Sequence, residues 1–185
     1  HRAAQGGSGS GGDVAASVHG GVILFRRDQT PVRAALPPGL GVFAVATGTG
    51  SSTVDLVGLV AQYRRDQPDS YRRDMDSLLQ LSESTADCLT SADDFLHLVD
   101  DYFHALVALT RHSGAEIVTE RHHELRRLAA ASDAVFKPSG AGGGGLGLVF
   151  GKLEYVDALQ STFSEAGALV ITVPPSSGGV RVESE

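Results

Sequence analysis

The feature that most constrains the fold is a glycine-rich run at residues 139–145, which read Ser-Gly-Ala-Gly-Gly-Gly-Gly. Glycine adopts left-handed backbone conformations without a Cβ clash, so such a run lets backbone N–H groups converge on an anion. Between two strands it also lets another loop approach the backbone closely. Composition alone does not distinguish a structural turn from a phosphate-binding site. A Walker phosphate loop and a Rossmann fingerprint are excluded, because no Gly-Lys-Ser/Thr follows and the glycine spacing is wrong.

The apolar patterning on both sides of this run predicts an α+β fold. Strands are predicted at residues 22–25, 41–46, 134–136, 146–150 and 168–173, and helices at 14–18, 53–65, 71–89, 95–109, 120–131 and 156–165. Strands that alternate with helices in this order are typical of a two-layer sandwich. The arrangement expected is a split-βαβ, ferredoxin-like antiparallel sheet with helices on one face.

Length and composition indicate a globular chain with a boundary near residue 36. The chain has 185 residues, of which 42% are hydrophobic and 20% charged, close to the averages of globular domains. Turn residues and three prolines fall between Arg26 and Gly39. We therefore predict two parts, residues 1–35 and residues 36–185.

Charge and cysteine content limit the partners and the compartment. A formal net charge of −7 argues against a nucleic-acid surface, which needs concentrated Lys and Arg. Cys88 is the only cysteine, so no internal disulfide forms, which fits a reducing compartment. Since no apolar run approaches about 20 residues, no membrane partner is expected. The prediction is a cytoplasmic protein.

A second glycine cluster precedes Asp13. Residues 9–17 read Gly-Ser-Gly-Gly-Asp-Val-Ala-Ala-Ser, followed by a short helical segment and a strand. Asp is a favoured helix N-cap, so Asp13 is either the cap of this helix or a catalytic carboxylate, and the two roles are compatible.

At this point the two glycine segments support a resemblance. Lys-Pro-Ser-Gly-Ala-Gly-Gly-Gly-Gly at 137–145 resembles the third signature motif of the GHMP-type small-molecule kinases, and its Lys-Pro-Ser opening is most similar to bacterial phosphomevalonate kinases. The stretch 1–17 is similar to the segment of these enzymes that holds the catalytic aspartate. The loop 47–53 resembles their substrate-side loop. The resemblance spans nearly the whole chain in the same order.

This resemblance implies a kinase that uses ATP and Mg²⁺ to phosphorylate 5-phosphomevalonate to mevalonate 5-diphosphate. It implies that Asp13 is the catalytic carboxylate, with Mg²⁺ as a further ligand of that group. Residues implied to contact substrate or phosphate are Ser10, Gly12, Lys137, Ser139, Gly140, Ala141, Gly142, Gly143, Ser51, Ser52 and Thr53. The Asp13 segment and the glycine run are expected to line one phosphate pocket.

The resemblance also assigns the two predicted parts. Residues 1–35 would be the end of an amino-terminal kinase domain, and residues 36–185 a GHMP-kinase carboxy-terminal domain. The superfamily's ATP loop, of the form PxxxGLGSSAA, does not occur in this sequence. We therefore expect the chain to begin mid-fold, with that loop before His1, and we expect these 185 residues alone to be inactive.

One departure from the motif leaves alternatives open. The motif of phosphomevalonate kinases usually closes with Asp, whereas this chain has Gly145, as mevalonate kinases do. The alternatives are mevalonate phosphorylation, ATP-dependent decarboxylation of mevalonate diphosphate, and a degenerate module that binds a ligand or partner without catalysis.

Other reactive residues receive structural interpretations. His122 and His123 are adjacent and do not have the HExxH spacing of zinc enzymes, so they are predicted to lie on a solvated helix face. Cys88 is interpreted as a small apolar filler.

Overall fold

A computed structural model describes residues 10–48, 50, 52–172 and 178–180. The chain divides into two compact units. The described residues of the first unit are 10–36 and 178–180, and those of the second are 37–48, 50 and 52–172. Ser51 and residues 1–9, which include part of the predicted Asp13 segment, lie outside the described residues.

The described residues of the first unit form one helix and one hairpin. Helix α1 (Gly12–His19) is followed by the antiparallel strands β1 (Val22–Leu24) and β2 (Val32–Ala34). The backbone N–H of Val180 donates to the carbonyl of Val18 over 3.1 Å. The strand predicted at 22–25 is confirmed. Strand β2 was not predicted because it is only three residues long and largely exposed, so it has little apolar pattern.

The described part of the second unit contains five α-helices and a short 3-10 helix at Leu153–Tyr155. The α-helices are α2 (Thr53–Asp66), α3 (Pro68–Cys88), α4 (Ala92–Ser113), α5 (Glu120–Ala130) and α6 (Val156–Glu165). Their ends follow ordinary capping chemistry: Pro68 occupies the first turn of α3, and Gly114 closes α4 with a left-handed φ of 69°. All five helices were predicted, with ends shifted by a few residues.

The sheet of the second unit has four antiparallel strands in the order β4-β5-β3-β6. Along the chain they are β3 (Leu40–Ala46), β4 (Val135–Pro138), β5 (Leu146–Lys152) and β6 (Leu169–Ile171). A helical connection of α2 to α5 joins β3 to β4, and α6 joins β5 to β6. This is the strand order of a split-βαβ sheet, so the predicted α+β fold is confirmed.

The main core lies on one face of this sheet. Phe43 packs edge-to-face on Phe163 of α6, with ring centroids 5.5 Å apart, and Phe103 of α4 contacts Phe136 at 6.3 Å. Val149 pairs with Phe43 and Phe136 across the ladder, so all three side chains share this face. Burial of these large apolar groups anchors α4 and α6 on the sheet.

Helices α3 and α4 also reach the second face. Phe150 alternates with Val149 along β5 and therefore points to the opposite side, where Phe95 of α4 meets it at 5.4 Å. A second apolar cluster joins α2, α3 and α4 through Leu56, Tyr63, Leu78 and Leu109. Within the described residues, no helix combines the length and the apolar character that crossing a membrane requires.

Candidate functional site

The glycine-rich run forms the turn between β4 and β5. The N–H of Ser139 donates to the carbonyl of Leu146 over 2.9 Å and closes the hairpin. From Gly140 onward the backbone turns into the left-handed region, with positive φ at residues 140, 142, 143, 144 and 145. We call residues 139–145 the glycine loop.

One side of the glycine loop rests on the segment before α5. The N–H of Gly143 donates to the carbonyl of Ile117 over 2.8 Å. A Cβ added at Gly142 would collide with the same carbonyl oxygen and would lie 2.7 Å from Cγ2 of Ile117. Glycine is required at position 142 because another backbone segment occupies the space of a side chain.

The other side of the glycine loop is held by the end of β3. The N–H of Thr47 donates to the carbonyl of Gly145 over 2.9 Å, and its hydroxyl donates to the same oxygen over 3.3 Å. Ala46 pairs with Leu146 in the ladder just below. The loop that starts at Thr47 therefore begins beside the glycine loop at the same end of the sheet.

The loop from Thr47 leads into the first turn of α2. Ser52 is the N-cap residue and Thr53 the first helical residue, and both are exposed. The carbonyl of Ser52 accepts from the N–H of Asp55 over 3.1 Å, while its hydroxyl makes no capping hydrogen bond. Among the described residues, two of the predicted ligand side chains, Ser52 and Thr53, are thus exposed at this helix end.

Five amides of the glycine loop make no hydrogen bond within the described residues. They are the N–H groups of Gly140, Ala141, Gly142, Gly144 and Gly145. Gly140, Ala141 and Gly145 are also exposed. By contrast, the amides of Ser139 and Gly143 are used inside the fold. Consecutive amides without internal partners in a left-handed glycine turn are available to donate to phosphate oxygens.

Lys137 lies on the second face of the sheet. Its Nζ is 5.2 Å from the ring centroid of Tyr102 and donates to the carbonyl of Pro138 over 3.1 Å. Burial lowers the pKa of this amine, because an apolar environment disfavours the charged form. The side chain lines an apolar cavity under α3 and α4.

His122 corrects a sequence prediction. The solvated position predicted for it is wrong, because its side chain is fully buried at 0% exposure. Its ring Nδ1 accepts from the backbone N–H of Thr119 over 3.1 Å, and the backbone N–H of His122 donates to the Thr119 hydroxyl over 3.3 Å. This is a capping box with His at the position usually held by Glu or Gln. The spacing Thr-x-x-His in the sequence was the signal that could have predicted this capping box.

In the first unit, Asp13 lies in the first turn of α1 and is exposed. The predicted N-cap role is wrong, because Gly11 is the N-cap residue, with a left-handed φ of 83°. A carboxylate in the first turn interacts favourably with the helix dipole. Ser10 accepts from the N–H of Gly12 over 3.2 Å through its hydroxyl.

The comparisons with known proteins point to one group of enzymes. The chain is 28% identical to a phosphomevalonate kinase of Streptomyces sp. (strain CL190), across 93% of this chain and 54% of the relative. The chain therefore spans about half the length of this curated relative. No protein-family model matches the sequence.

Solved structures share the fold. L. major mevalonate kinase in complex with R-mevalonate matches with a TM-score of 0.70 at 20% identity, over 91% of this chain and 55% of that chain. Streptococcus pneumoniae phosphomevalonate kinase in complex with phosphomevalonate and AMPPNP matches with a TM-score of 0.62 at 18% identity, over 78% and 43%. The resemblance to GHMP-type kinases that are similar to bacterial phosphomevalonate kinase is confirmed.

Proposed function

We propose that the chain is part of an ATP-dependent kinase that phosphorylates 5-phosphomevalonate. An oxygen of the acceptor phosphate would form a bond to the γ-phosphorus of ATP while the bond from that phosphorus to the ADP oxygen breaks. The products are mevalonate 5-diphosphate and ADP. The observation that carries this proposal is the 28% identity to a phosphomevalonate kinase over 93% of the chain.

The glycine loop supports phosphate binding as its role. Its free amides at Gly140, Ala141 and Gly142, with the hydroxyl of Ser139, would donate to phosphate oxygens. Phosphoryl transfer needs mainly positioning and charge neutralisation, because the acceptor oxygen is already ionised. A turn fixed on both sides, by Ile117 and by Thr47, supplies that positioning. Roles for Gly12, Ser10, Gly143, Ser51, Ser52, Thr53 and Lys137 in binding substrate stay predictions.

Asp13 is proposed as the catalytic carboxylate that orients the acceptor phosphate. It also fits a Mg²⁺ ion, since this ion usually takes one or two carboxylates and completes its shell with phosphate oxygens and water. Within the described residues no three His, Cys, Asp or Glu side chains come together. When bound, Mg²⁺ neutralises negative charge on the phosphates.

Phosphorylation of mevalonate itself is the second candidate, and Gly145 favours it. The position has a left-handed φ of 84°, which suits glycine, and its carbonyl accepts the two hydrogen bonds from Thr47. A Cβ there would meet nothing within 4 Å, so the missing Asp is not excluded by lack of space. What supports this candidate is therefore the resemblance, since mevalonate kinases also have glycine at this position.

A coupled ADP-release assay separates these candidates. The protein in its full natural length would be tested with mevalonate, 5-phosphomevalonate and mevalonate diphosphate, each with MgATP. We expect turnover with 5-phosphomevalonate alone. Turnover only with mevalonate would replace the proposed substrate. Absence of turnover together with absence of MgATP binding heat in calorimetry would favour a non-catalytic binding module.

Asp13→Asn tests the catalytic role in the same full-length protein. We expect turnover to fall by about 100-fold or more, because the charge at the acceptor is lost while the side-chain shape is kept. Asp28→Asn is the matched control, since Asp28 is exposed and its left-handed φ of 63° is tolerated by Asn. Near-normal turnover of Asp13→Asn, with the control also normal, would mean that another residue is the catalytic carboxylate.

A further inference from the structure

The cavity that contains Lys137 lies between the second face of the sheet and helices α3 and α4. Its volume is about 290 Å³. Its apolar lining is provided by Phe95, Leu98, Val99, Leu148 and Phe150. Ser82 and Thr85 of α3, with Tyr102 and Lys137, add a few polar groups to this partly open, mainly apolar space. A mainly apolar lining with a few polar groups is the usual composition of a small-molecule site.

The amine at the wall of this cavity has no carboxylate partner. Among the described residues, every ion pair of a cationic side chain involves arginine or histidine, and none involves Lys137. Within the part of the chain that the structure describes, the polar and ring contacts of its Nζ are the Pro138 carbonyl and the face of the Tyr102 ring. Lys137 is only partly buried, but an ammonium group set against apolar side chains is favoured by a nearby anion, and within the described residues the fold supplies none. Tyr102 is the only other titratable side chain that lines the cavity.

The size and the charge of the cavity define its ligand. At the roughly 30 Å³ that a water molecule occupies in the liquid, the volume holds about ten non-hydrogen atoms. One ammonium group balances one negative charge, which fits a carboxylate better than a phosphate dianion. We propose that this cavity binds a medium-chain aliphatic carboxylate, with its apolar body between α4 and β5 and its carboxylate on the Nζ of Lys137.

The lowered pKa of Lys137 fits this assignment. Burial disfavours the ammonium form through desolvation, and a bound carboxylate would favour it through the opposite charge. Ligand binding and protonation of Lys137 are therefore linked, so that binding raises the pKa of the amine. Carboxylate binding at this cavity would be independent of the proposed kinase activity.

The test is a calorimetric titration of the 185-residue chain with octanoate, which has ten non-hydrogen atoms. Lys137→Met removes the ammonium and keeps the apolar stem, and we expect it to weaken octanoate binding at least tenfold. Lys152→Met is the matched control, because Lys152 is the other lysine of the chain and is exposed at the end of β5. Octan-1-ol, which has the same body without the charge, should bind both variants equally.

Three results would overturn the proposal. The first is no saturable octanoate binding to the unmodified chain. The second is equal octanoate affinity in Lys137→Met and Lys152→Met. The third is displacement of octanoate by inorganic phosphate at comparable concentration, which would show that the amine recognises phosphate as the sequence resemblance implied.

A measurement on the unmodified chain covers the case in which Lys137→Met does not fold. The chain has two lysines, so its ε-CH₂ signals in a carbon-detected NMR spectrum are few. Addition of octanoate should shift the Lys137 signal and leave the Lys152 signal in place. Equal shifts of both signals, or no shift of Lys137, would overturn the proposal.

Discussion

At the scale of single residues, His122 shows how burial sets chemistry. Its Nδ1 accepts a hydrogen bond from Thr119, so the neutral ring carries its proton on Nε2. Within the described part of the chain this buried Nε2 has no hydrogen-bond partner. The ring lies beside Phe136, with centroids 5.7 Å apart. Desolvation by burial, with a smaller effect of His123, lowers the pKa of His122 to about 4.

This shift predicts acid sensitivity. The ordinary pKa of the unfolded state is 6.5, so between pH 6.5 and about 4 the unfolded state binds more protons than the folded state. The free energy of unfolding should therefore fall as the pH is lowered through this window, by about 3 kcal/mol in total. Urea unfolding of His122→Gln should lack this part of the pH dependence, because Gln keeps the capping box without titrating.

His123→Gln is the matched control for this measurement. It changes the neighbouring histidine, which contacts the ring of Phe103 at 5.6 Å and takes no part in the capping box. Its pH profile should follow that of the unmodified chain. Equal profiles for His122→Gln and the unmodified chain would contradict the proposed acid sensitivity.

Alanine substitutions at two glycines of the glycine loop allow backbone strain and steric contact to be measured separately. Gly140 and Gly142 have similar left-handed φ values of 70° and 80°, so an added Cβ strains both by about 1 to 2 kcal/mol. At Gly140 the Cβ would meet nothing within 4 Å, whereas at Gly142 it would strike Ile117. Gly142→Ala should therefore destabilise by about 1 to 3 kcal/mol more than Gly140→Ala in urea unfolding. Equal losses in the free energy of unfolding would show that Ile117 moves at little cost to accommodate the added Cβ.

At the scale of elements, two serines occupy equivalent helix positions with different bonding. The hydroxyl of Ser91 accepts from the N–H of Asp94 at the start of α4, over 3.3 Å. Ser52 is the N-cap of α2, and its hydroxyl makes no such bond. Only the first side chain satisfies one of the unpaired amides of its helix.

Alanine substitutions should reveal this difference. Ser91→Ala should lower the free energy of unfolding by about 1 kcal/mol, because an N-cap hydrogen bond is lost. Ser52→Ala should change it by less than about half of that value. Thermal and urea unfolding of both variants provide the check, and an equal loss in both would contradict the assignment. Reduced turnover of Ser52→Ala with unchanged stability would instead support its predicted contact with substrate.

At the scale of the whole molecule, the second unit contains its own cores. Both apolar clusters, one around Phe43 and Phe136 and one around Leu56 and Leu109, consist of residues between 37 and 173. The four strands and five helices that bury these clusters belong to the same unit. A unit with a complete core is expected to fold independently.

We therefore expect a fragment of residues 37–173 to unfold cooperatively. Its far-ultraviolet circular dichroism should show mixed helix and strand, and urea unfolding followed by fluorescence and by circular dichroism should give coincident transitions. A non-cooperative transition would indicate that the core clusters are insufficient without residues of the first unit.

Much of the fold follows from local sequence signals. The periodicity of Phe95, Val99 and Phe103 predicted α4, and Thr119 predicted the start of α5, because helix geometry and capping depend on residues within a few positions. The alternation of helices and strands then predicted the split-βαβ sheet. The position of the glycine loop between two strands was predicted in the same way.

The sequence by itself determined the order of helices and strands and the place of the glycine loop, since these depend on short-range patterns. Only the tertiary structure decided which groups that loop contacts, because Ile117 and Thr47 are distant from it along the chain. It also decided that His122 is buried and that Lys137 faces an apolar cavity. Burial and the resulting pKa shifts depend on packing between distant segments, which periodicity does not encode.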